Sequence, residues 1–342
     1  MKIAVGISGG VDSTVAAMIL KSQGHEITGV TMTIGLEDDA ATVAAARSLA
    51  ERLGISFRVF DFTEEWRRDV LDYVKNTYLA GETPNPCVRC NETVKFSLLP
   101  RAAFALGCEA FATGHYARVR RRSSSDAALL RSLDGKKDQS YFLYRVERSV
   151  LARTVFPLGE LEKSEVRERA RAFGLDVSEK PDSQDFCAGD VASVIGETDR
   201  EGDIVDGCGR VLGHHRGYWH YTHGKRKGLG IGGGTPYYVT GLDAASNKVI
   251  VGFKADALKT EFEVSSPVWS LAGYDGEFSL KVRSAGDPKG RVKVSPAAGG
   301  RLLVESEEGI FGVAPGQSAV FYSGDEVVGG GIIVAAEKRP RV

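Results

Sequence analysis

The chain has 342 residues, of which 42% are hydrophobic and 26% are charged. This length allows two or three domains with separate cores, and the composition excludes a disordered or fibrous chain. The formal net charge of −1 argues against a nonspecific polyanion binder, although a local basic patch can still attract RNA.

Strand and helix patterns alternate over the first hundred or so residues. Predicted strands cover residues 2–7, 26–33, 56–62 and 109–113, and predicted helices cover 13–22, 40–53, 64–79 and 96–106. This βα alternation predicts an α/β domain whose parallel sheet has helices on both faces. In such sheets ligands bind at the carboxyl ends of the strands, where the Gly-rich turn after the first strand and Gly114-His115 would lie.

The composition and the hydrophobic periodicity of the chain change after about residue 200. Glycine becomes frequent, and short strands are predicted at 237–240, 248–252, 277–282, 291–294, 301–304, 318–322 and 331–334. Strands at this spacing indicate a small β-barrel or sandwich, and we favour a C-terminal β-barrel. The expected domains are therefore 1–200, a small central module at 201–258, and the barrel at 259–342.

Targeting and redox signals indicate a cytoplasmic protein. No basic region precedes a long apolar run near the start, so we expect neither a signal peptide nor a membrane span. Five cysteines without a dense framework fit a reducing compartment, where clustered cysteines are more often catalytic or metal-binding than disulfide-bonded.

Two basic runs lie at residues 118–122 and 225–227. Taken alone, a charge run is more often a solvated surface turn than an RNA site. Residues 121–127, which include three serines, have the composition of an exposed loop.

A Gly-rich loop between the first strand and helix has the chemistry of a phosphate site. It reads Gly6-Ile7-Ser8-Gly9-Gly10-Val11-Asp12-Ser13. The glycines let backbone N–H groups face phosphate oxygens, and the serine hydroxyls and the helix N-terminus favour an anion. Neither a Walker loop nor a dinucleotide fingerprint is present. Asp12 suits Mg²⁺ bound to a leaving pyrophosphate better than direct phosphate contact.

The motif Ser-Gly-Gly-Val-Asp-Ser is similar to the signature of PP-loop ATP pyrophosphatases, which split ATP into AMP and pyrophosphate to adenylate a substrate oxygen. Further segments resemble the tRNA-specific 2-thiouridylase family across nearly the whole chain. These segments are 83–86, 90–91, 95–96, 112–116, 137–143, 224–230 and 315–317.

The resemblance implies a reaction and a set of site residues. An N-terminal PP-loop domain would bind ATP and adenylate O2 of the wobble uridine of a tRNA, and a sulfur species would then displace AMP. The ATP site would comprise Gly6–Ser13, Met32 and Gly114. Contacts to tRNA would come from Asn85, Pro86, His115, Lys137, Asp138, Gln139, Arg283 and Gln317. Sulfur would come from a cysteine desulfurase, a relay protein or sulfide.

The cysteines separate this chain from the familiar form of that family. There, a cysteine at the position of Cys90 is the nucleophile, one at Cys187 carries a persulfide, and an aspartate stands at the position of Cys87. The extra thiol makes a Cys87-x-x-Cys90 pair with Cys187 as a third thiol, which resembles tRNA thiolases that hold a [4Fe–4S] cluster on three cysteines.

Three interpretations of the cysteines remain open. A [4Fe–4S] cluster, which we favour, accounts for the third thiol. A redox dithiol with a persulfide on Cys187 needs no metal. Structural zinc would need a fourth ligand, and neither Cys108 nor a histidine has finger-like spacing.

Other features receive simpler interpretations. His214, His215, His220 and His223 are expected at a surface or in packing, Cys108 in a core, Cys208 in a turn and Trp66 in a core. Two rival functions share parts of the pattern: an amide-forming PP-loop synthetase, and a non-catalytic RNA-binding or redox-sensing protein. An amide-forming synthetase does not require the three cysteines. A non-catalytic RNA-binding or redox-sensing protein does not require the ATP loop.

Overall fold

The N-terminal part of the chain forms a five-stranded parallel sheet. The structure is a computed structural model that describes residues 1–174, 191–232, 234–270 and 273–334. The strands of this sheet, numbered in chain order over the whole protein, are β1 (Lys2–Gly6), β2 (Glu26–Thr33), β3 (Ser56–Asp61), β4 (Ala110–Ala112) and β7 (Thr154–Val155). Their spatial order is β3-β2-β1-β4-β7, and every pairing is parallel. The predicted parallel sheet is confirmed.

Helices cover both faces of the sheet, as predicted. They are α1 (Val11–Ser22), α2 (Asp39–Leu53), α3 (Thr63–Trp66), α4 (Asp72–Leu79), α5 (Pro86–Cys90), α6 (Leu99–Ala105), α7 (Arg148–Ala152) and α8 (Lys163–Ala172), whereas α9 (Val191–Ile195) packs in the central part of the chain. Wide π-helical turns at Arg67–Leu71 and Asn91–Leu98 join α3 to α4 and α5 to α6.

Alternate residues of β1 pack against different helices because successive strand side chains point to opposite faces. Ile3 and Val5 share a buried cluster with α1 and α2, whereas Ala4 shares one with α6. The strand is therefore apolar on both faces, which explains its continuous hydrophobic run.

A small four-stranded sheet forms the central part of the chain. Its strands are β8 (Gly202–Asp206), β9 (Val211–His215), β10 (Tyr238–Asp243) and β11 (Lys248–Gly252), in the order β10-β11-β8-β9. Ile204, Val249 and Trp219 are buried together in its core, and Ile195 of α9 joins them.

The C-terminal part is a closed six-stranded barrel, as predicted. Its strands are β12 (Leu258–Trp269), β13 (Phe278–Lys281), β14 (Lys289–Pro296), β15 (Leu302–Phe311), β16 (Ser318–Ser323) and β17 (Glu326–Ile333). They follow the order β12-β15-β14-β13-β16-β17, and pairing of β12 with β17 closes the barrel.

A hairpin from the N-terminal part attaches to this barrel. It consists of β5 (Ala117–Arg121) and β6 (Ala127–Arg131), and Leu130 pairs with Glu326 of β17. The basic run at 118–122 is thus mostly a strand, where the sequence alone suggested a solvated turn or an RNA-attracting patch. Arg118 donates to Asp325 at 2.8 Å, and Arg120 and Arg122 both pair with Glu326. The acids of the β16–β17 turn therefore offset this positive charge.

None of the helices in the described ranges is both long and apolar enough to cross a membrane.

Replacement of Gly330 by alanine should weaken the contact between the barrel and the N-terminal part. A Cβ at this position would lie 2.6 Å from the ring of the buried Tyr144 and 2.7 Å from the carbonyl oxygen of Ala319. Overpacking of this kind costs about 1–3 kcal/mol of unfolding free energy, which urea denaturation would measure. Gly234→Ala is the control, because no atom lies within 4 Å of its added Cβ. Equal stabilities of the two variants would contradict the packing described.

Candidate active site

The Gly-rich loop has the geometry of an anion site. Gly9 has φ +75°, and a Cβ there would lie 2.6 Å from Cβ of Ala45, so only glycine fits. The hydroxyl of Ser13 accepts from the Ser8 backbone N–H at 3.3 Å and donates to the Gly10 carbonyl at 3.1 Å. No side chain caps the N-terminus of α1 at Gly10. The loop therefore presents the first N–H groups of a twelve-residue helix to a ligand.

Gly114 lies directly against this loop. A Cβ on Gly114 would be 2.6 Å from the carbonyl carbon of Asp12 and 2.7 Å from the backbone nitrogen of Ser13. The structure thus brings Gly114 and the Gly-rich loop together. Met32 is at the same edge of the sheet, because it follows Val30 by two residues and Val30 pairs with Gly6.

The Asp12 carboxylate is held by two residues that the sequence analysis missed. Nζ of Lys163 donates to its two oxygens at 2.7 and 2.8 Å, and the Tyr116 hydroxyl donates to Oδ1 at 3.0 Å. Lys163 begins α8, whose Glu162–Glu165 capping box is visible in the sequence. Nothing in the sequence connects Lys163 to Asp12, since 151 positions separate them. Coordination of Mg²⁺ by Asp12 would require the ammonium group to give way.

Helix α5 carries two of the three cysteines that the sequence analysis assigned to the site. The Asn85 side chain caps it by accepting from the Val88 N–H at 3.3 Å, and Pro86 occupies its first turn. Cys87 and Cys90 are three residues apart and therefore lie on one side of a helical turn. Cys187 lies outside the described residues.

The thiol of Cys90 is in a mainly apolar environment. It packs on the cluster that includes Trp66 and Val70, and this burial raises the pKa of the Cys90 thiol. The positive charge of Lys95 and a hydrogen bond with Trp66 act in the opposite direction on the same pKa. Burial dominates, so the thiol retains its proton at neutral pH. Trp66 is 4% exposed, which confirms the predicted core position.

His115 connects the Gly-rich loop to the cysteine-bearing segment. Its ring contacts Phe96, with centroids 5.4 Å apart, and its Nδ1 is 2.8 Å from the Thr113 hydroxyl. Burial, assisted by repulsion from Lys95, lowers the pKa of His115 to about 3, so the ring is neutral at pH 7. Lys95 therefore acts electrostatically on both His115 and Cys90.

Asp138 and Gln139, which are among the residues predicted to contact tRNA, hydrogen-bond to neighbouring protein groups. The carboxylate of Asp138 has no exposed surface, and it accepts from the N–H and hydroxyl groups of Ser140 and pairs with Lys281 at 3.6 Å. Gln139 accepts from the Tyr116 N–H at 2.9 Å. Both side chains stabilise the 134–140 loop in the conformation described.

Other predicted tRNA contacts divide into two groups. Lys137 is half-buried on the 134–140 loop, and Arg283 is exposed two residues after Lys281, so both lie near Asp138. Gln317 instead contacts the segment before α5, where Asn85 is 7% exposed.

The histidine tract and the remaining cysteines have ordinary environments. His214 and His220 pair with Asp203 and Asp199, and Nδ1 of His215 accepts from the Gly217 N–H. Cys108 is buried and Cys208 is exposed in a turn, as predicted. Across 1–174, 191–232, 234–270 and 273–334, no group of three His, Cys, Asp or Glu side chains could hold a metal ion.

Three family models match the chain in sequence order. They are described as the tRNA methyl transferase HUP domain over residues 1–188, the tRNA methyl transferase PRC-barrel domain over 191–253 and the aminomethyltransferase beta-barrel domain over 259–333. The first match alone spans more than half of the chain.

Curated relatives match over nearly their full length. The tRNA-specific 2-thiouridylase MnmA of Geobacter metallireducens is 44% identical, covering 98% of this chain and 97% of that protein. The protein of the same name from Nostoc punctiforme is 42% identical, with 97% and 98% covered. Among solved structures, a complex of a 4-thiouridine synthetase with RNA and ATP has a TM-score of 0.38, with 23% identity over 55% of this chain and 44% of that chain. That score is too low to support an argument.

Replacement of His115 by glutamine should make the unfolding free energy depend less on pH between pH 7 and 4.5. The folded state keeps His115 neutral down to a pKa of about 3, whereas an unfolded histidine takes up a proton near pH 6.5. Between these values the unfolded state binds more protons, so the wild-type unfolding free energy falls as pH falls, by at most about 1.4 kcal/mol per pH unit from this group.

Urea denaturation at several pH values between 7 and 4.5 would measure this slope. His25→Gln is the control, since it keeps His115 and should retain the wild-type slope. His223 is present in all three proteins and, with its pKa lowered by burial to about 4, contributes equally to each. An unchanged slope in His115→Gln would show that the His115 ring is solvated.

Proposed function

We propose that this chain, which belongs to the tRNA-specific 2-thiouridylase family, uses ATP to replace an oxygen of a tRNA uridine by sulfur. The observation that carries the proposal is the position of residues 113–116. Gly114 packs against the Gly-rich loop, and the adjacent His115 packs against Phe96, which follows the cysteine helix. A nucleotide activated at the loop would therefore react close to the cysteines.

Activation would take place at the N-terminus of α1. The uridine O2 attacks the α-phosphate of ATP, the bond to the β-phosphate breaks, and pyrophosphate leaves. Backbone N–H groups of the loop and the positive end of the helix stabilise the charge that develops on the phosphates. Asp12 would hold Mg²⁺ on the pyrophosphate, and exchange of the Lys163 ammonium for the metal would keep the carboxylate neutralised.

Sulfur transfer would follow at C2 of the adenylated uridine. A sulfur nucleophile forms the C–S bond, and AMP takes the original oxygen with it. Cys90 is the cysteine that the family resemblance assigns to nucleophilic attack. Because burial holds its thiol protonated, loss of its proton depends on the Lys95 charge and on bound substrate.

We further propose that Cys87 and Cys90 supply two of three thiolates for a [4Fe–4S] cluster, with Cys187 as the third. Their positions on one turn of α5 suit a shared ligand. Such a cluster, when bound, would supply an open iron site for sulfide. The alternative is metal-free chemistry, in which Cys87 and Cys90 act as a dithiol and Cys187 carries a persulfide. Zinc would need a fourth ligand in addition to the three cysteines, and neither Cys108 nor a histidine has the spacing for one.

Recognition of tRNA would use the half-buried Lys137 and the exposed Arg283 around the 134–140 loop. Lys137 and Arg283 are the candidates for phosphate contact, whereas the buried Asp138 would act by holding this loop through Lys281. The family resemblance assigns tRNA contact to His115, Asn85 and Pro86, which would position the target uridine. The sulfur donor would be a cysteine desulfurase, a relay protein or sulfide.

Replacement of Asp12 by asparagine should abolish tRNA-dependent release of pyrophosphate, because the neutral amide binds Mg²⁺ far more weakly than a carboxylate does. The tRNA dissociation constant should stay within about twofold, since phosphate contacts that set RNA affinity lie elsewhere. Radiolabelled ATP and filter binding would measure the two quantities. Glu168→Gln removes a carboxylate from the exposed face of α8 and should behave as wild type. Equal losses of affinity and pyrophosphate release would refute the role of Asp12.

Anaerobic purification and reconstitution should yield protein with about four iron and four sulfide per chain. Cys87→Asp should lose the iron, because a carboxylate replaces the thiolate that distinguishes this chain, whereas Cys208→Ser should retain it. Iron and sulfide assays with mass spectrometry of digested tRNA would test both. Iron-free wild-type protein that still forms 2-thiouridine would exclude the cluster and leave persulfide chemistry.

A further inference from the structure

A loop of the C-terminal barrel contacts the segment that leads into the cysteine helix. The backbone N–H of Thr83 donates to the Pro315 carbonyl at 2.8 Å. The side-chain amide of Gln317 donates to the carbonyls of Thr83 at 3.2 Å and Pro84 at 2.6 Å. Three hydrogen bonds therefore join the 315–317 loop to two consecutive residues.

Close packing at this contact leaves room only for glycine at position 316. Gly316 has φ +85°, and a Cβ there would lie 2.7 Å from the Thr83 carbonyl oxygen and 3.0 Å from Cγ2 of Thr77. The loop thus approaches the segment as closely as backbone atoms allow.

The next residue, Asn85, is tied to the same part of the barrel through Tyr141. The Asn85 amide donates to the Tyr141 hydroxyl at 3.3 Å, and that hydroxyl donates to the Ser318 carbonyl at 3.1 Å. Since Asn85 also caps α5 through Val88, its position sets where the helix begins.

Residues 83–86 have few backbone hydrogen-bond donors of their own. Pro84 and Pro86 lack N–H groups, so two of the four residues from 83 to 86 cannot donate backbone hydrogen bonds. The carbonyls of Thr83 and Pro84 accept from the Gln317 amide, which approaches both from the barrel. The N–H of Asn85 donates to the Tyr73 hydroxyl at 3.2 Å, so the N-terminal domain and the barrel together set where α5 begins.

We propose that Gln317 is a positioning residue for sulfur transfer, and that the barrel holds Cys87 and Cys90 in reach of the uridine activated at the ATP loop. This inference rests on the proposed function. It differs from a direct tRNA contact, because the Gln317 amide is directed at the protein backbone. Loss of the amide should misplace the cysteines while leaving the ATP loop intact, so the enzyme should activate uridine without thiolating it.

The test is the number of 2-thiouridines formed per pyrophosphate released, measured with saturating ATP and tRNA. Gln317→Met keeps the length of the side chain and removes only its polar groups. We expect this ratio to fall about tenfold or more, because displacements near 1 Å at a reacting centre cost up to about a hundredfold in rate. The tRNA dissociation constant should stay within about twofold of wild type. Gln23→Met, at an exposed position after α1, is the matched control.

Tyr141→Phe provides a second variant, since it removes the hydroxyl that joins Asn85 to Ser318 and preserves the ring. It should lower the same ratio, and the rate of alkylation of Cys87 and Cys90 should rise in both variants as α5 loosens. An unchanged ratio in a folded variant would overturn the proposal, and weaker tRNA binding with that ratio intact would make Gln317 a substrate contact instead. Absence of tRNA-dependent pyrophosphate release from the wild type would instead refute the proposed function itself.

Discussion

The contact between Gly114 and the Asp12–Ser13 peptide is the constraint on which the site depends. The Gly114 backbone approaches within a distance that excludes any Cβ. The end of β4 is thereby fixed against the start of α1, whose first N–H groups have no side-chain cap. His115 and Tyr116 follow immediately, so this one approach also directs the imidazole towards Phe96 and the phenol towards Asp12.

Two lysines supply positive charge at two separate places in the site. The ammonium of Lys163 neutralises Asp12 beside the loop, while the ammonium of Lys95 acts on the half-buried Cys90 and His115. Burial opposes ionisation of both the thiol and the imidazole, which leaves a neutral apolar patch next to a strongly polar loop. In the proposed reaction, phosphate chemistry would take place at the polar loop and sulfur chemistry beside the apolar patch.

The barrel completes the site from the other side. Its loop at 315–317 holds the carbonyls that precede α5, and its β16–β17 turn holds the arginines of the β5–β6 hairpin. The N-terminal domain and the barrel also share buried residues, among them Val320 and Tyr322. Because these contacts involve backbone atoms and a common core, the barrel is part of the architecture that positions the cysteines.

Local patterns were sufficient for much of the fold. The alternation of apolar runs and helical spacing predicted the parallel sheet, and strand 248–252 agrees with β11 residue for residue. The β5–β6 hairpin was missed because three arginines look solvated until their acidic partners, about two hundred positions away, are known. Helix α5 was missed because its five residues are too few to show a period.

The sequence by itself determined the reaction class, because the Gly-rich loop, the cysteine pair and each segment that carries the family resemblance are short runs of neighbouring residues. Only the tertiary structure showed that Lys163 holds Asp12, that Asp138 is buried and that Gln317 supports α5. Each of these depends on contacts between residues more than a hundred positions apart. Such contacts arise from packing of whole elements, which leaves no periodic trace in the sequence around either partner.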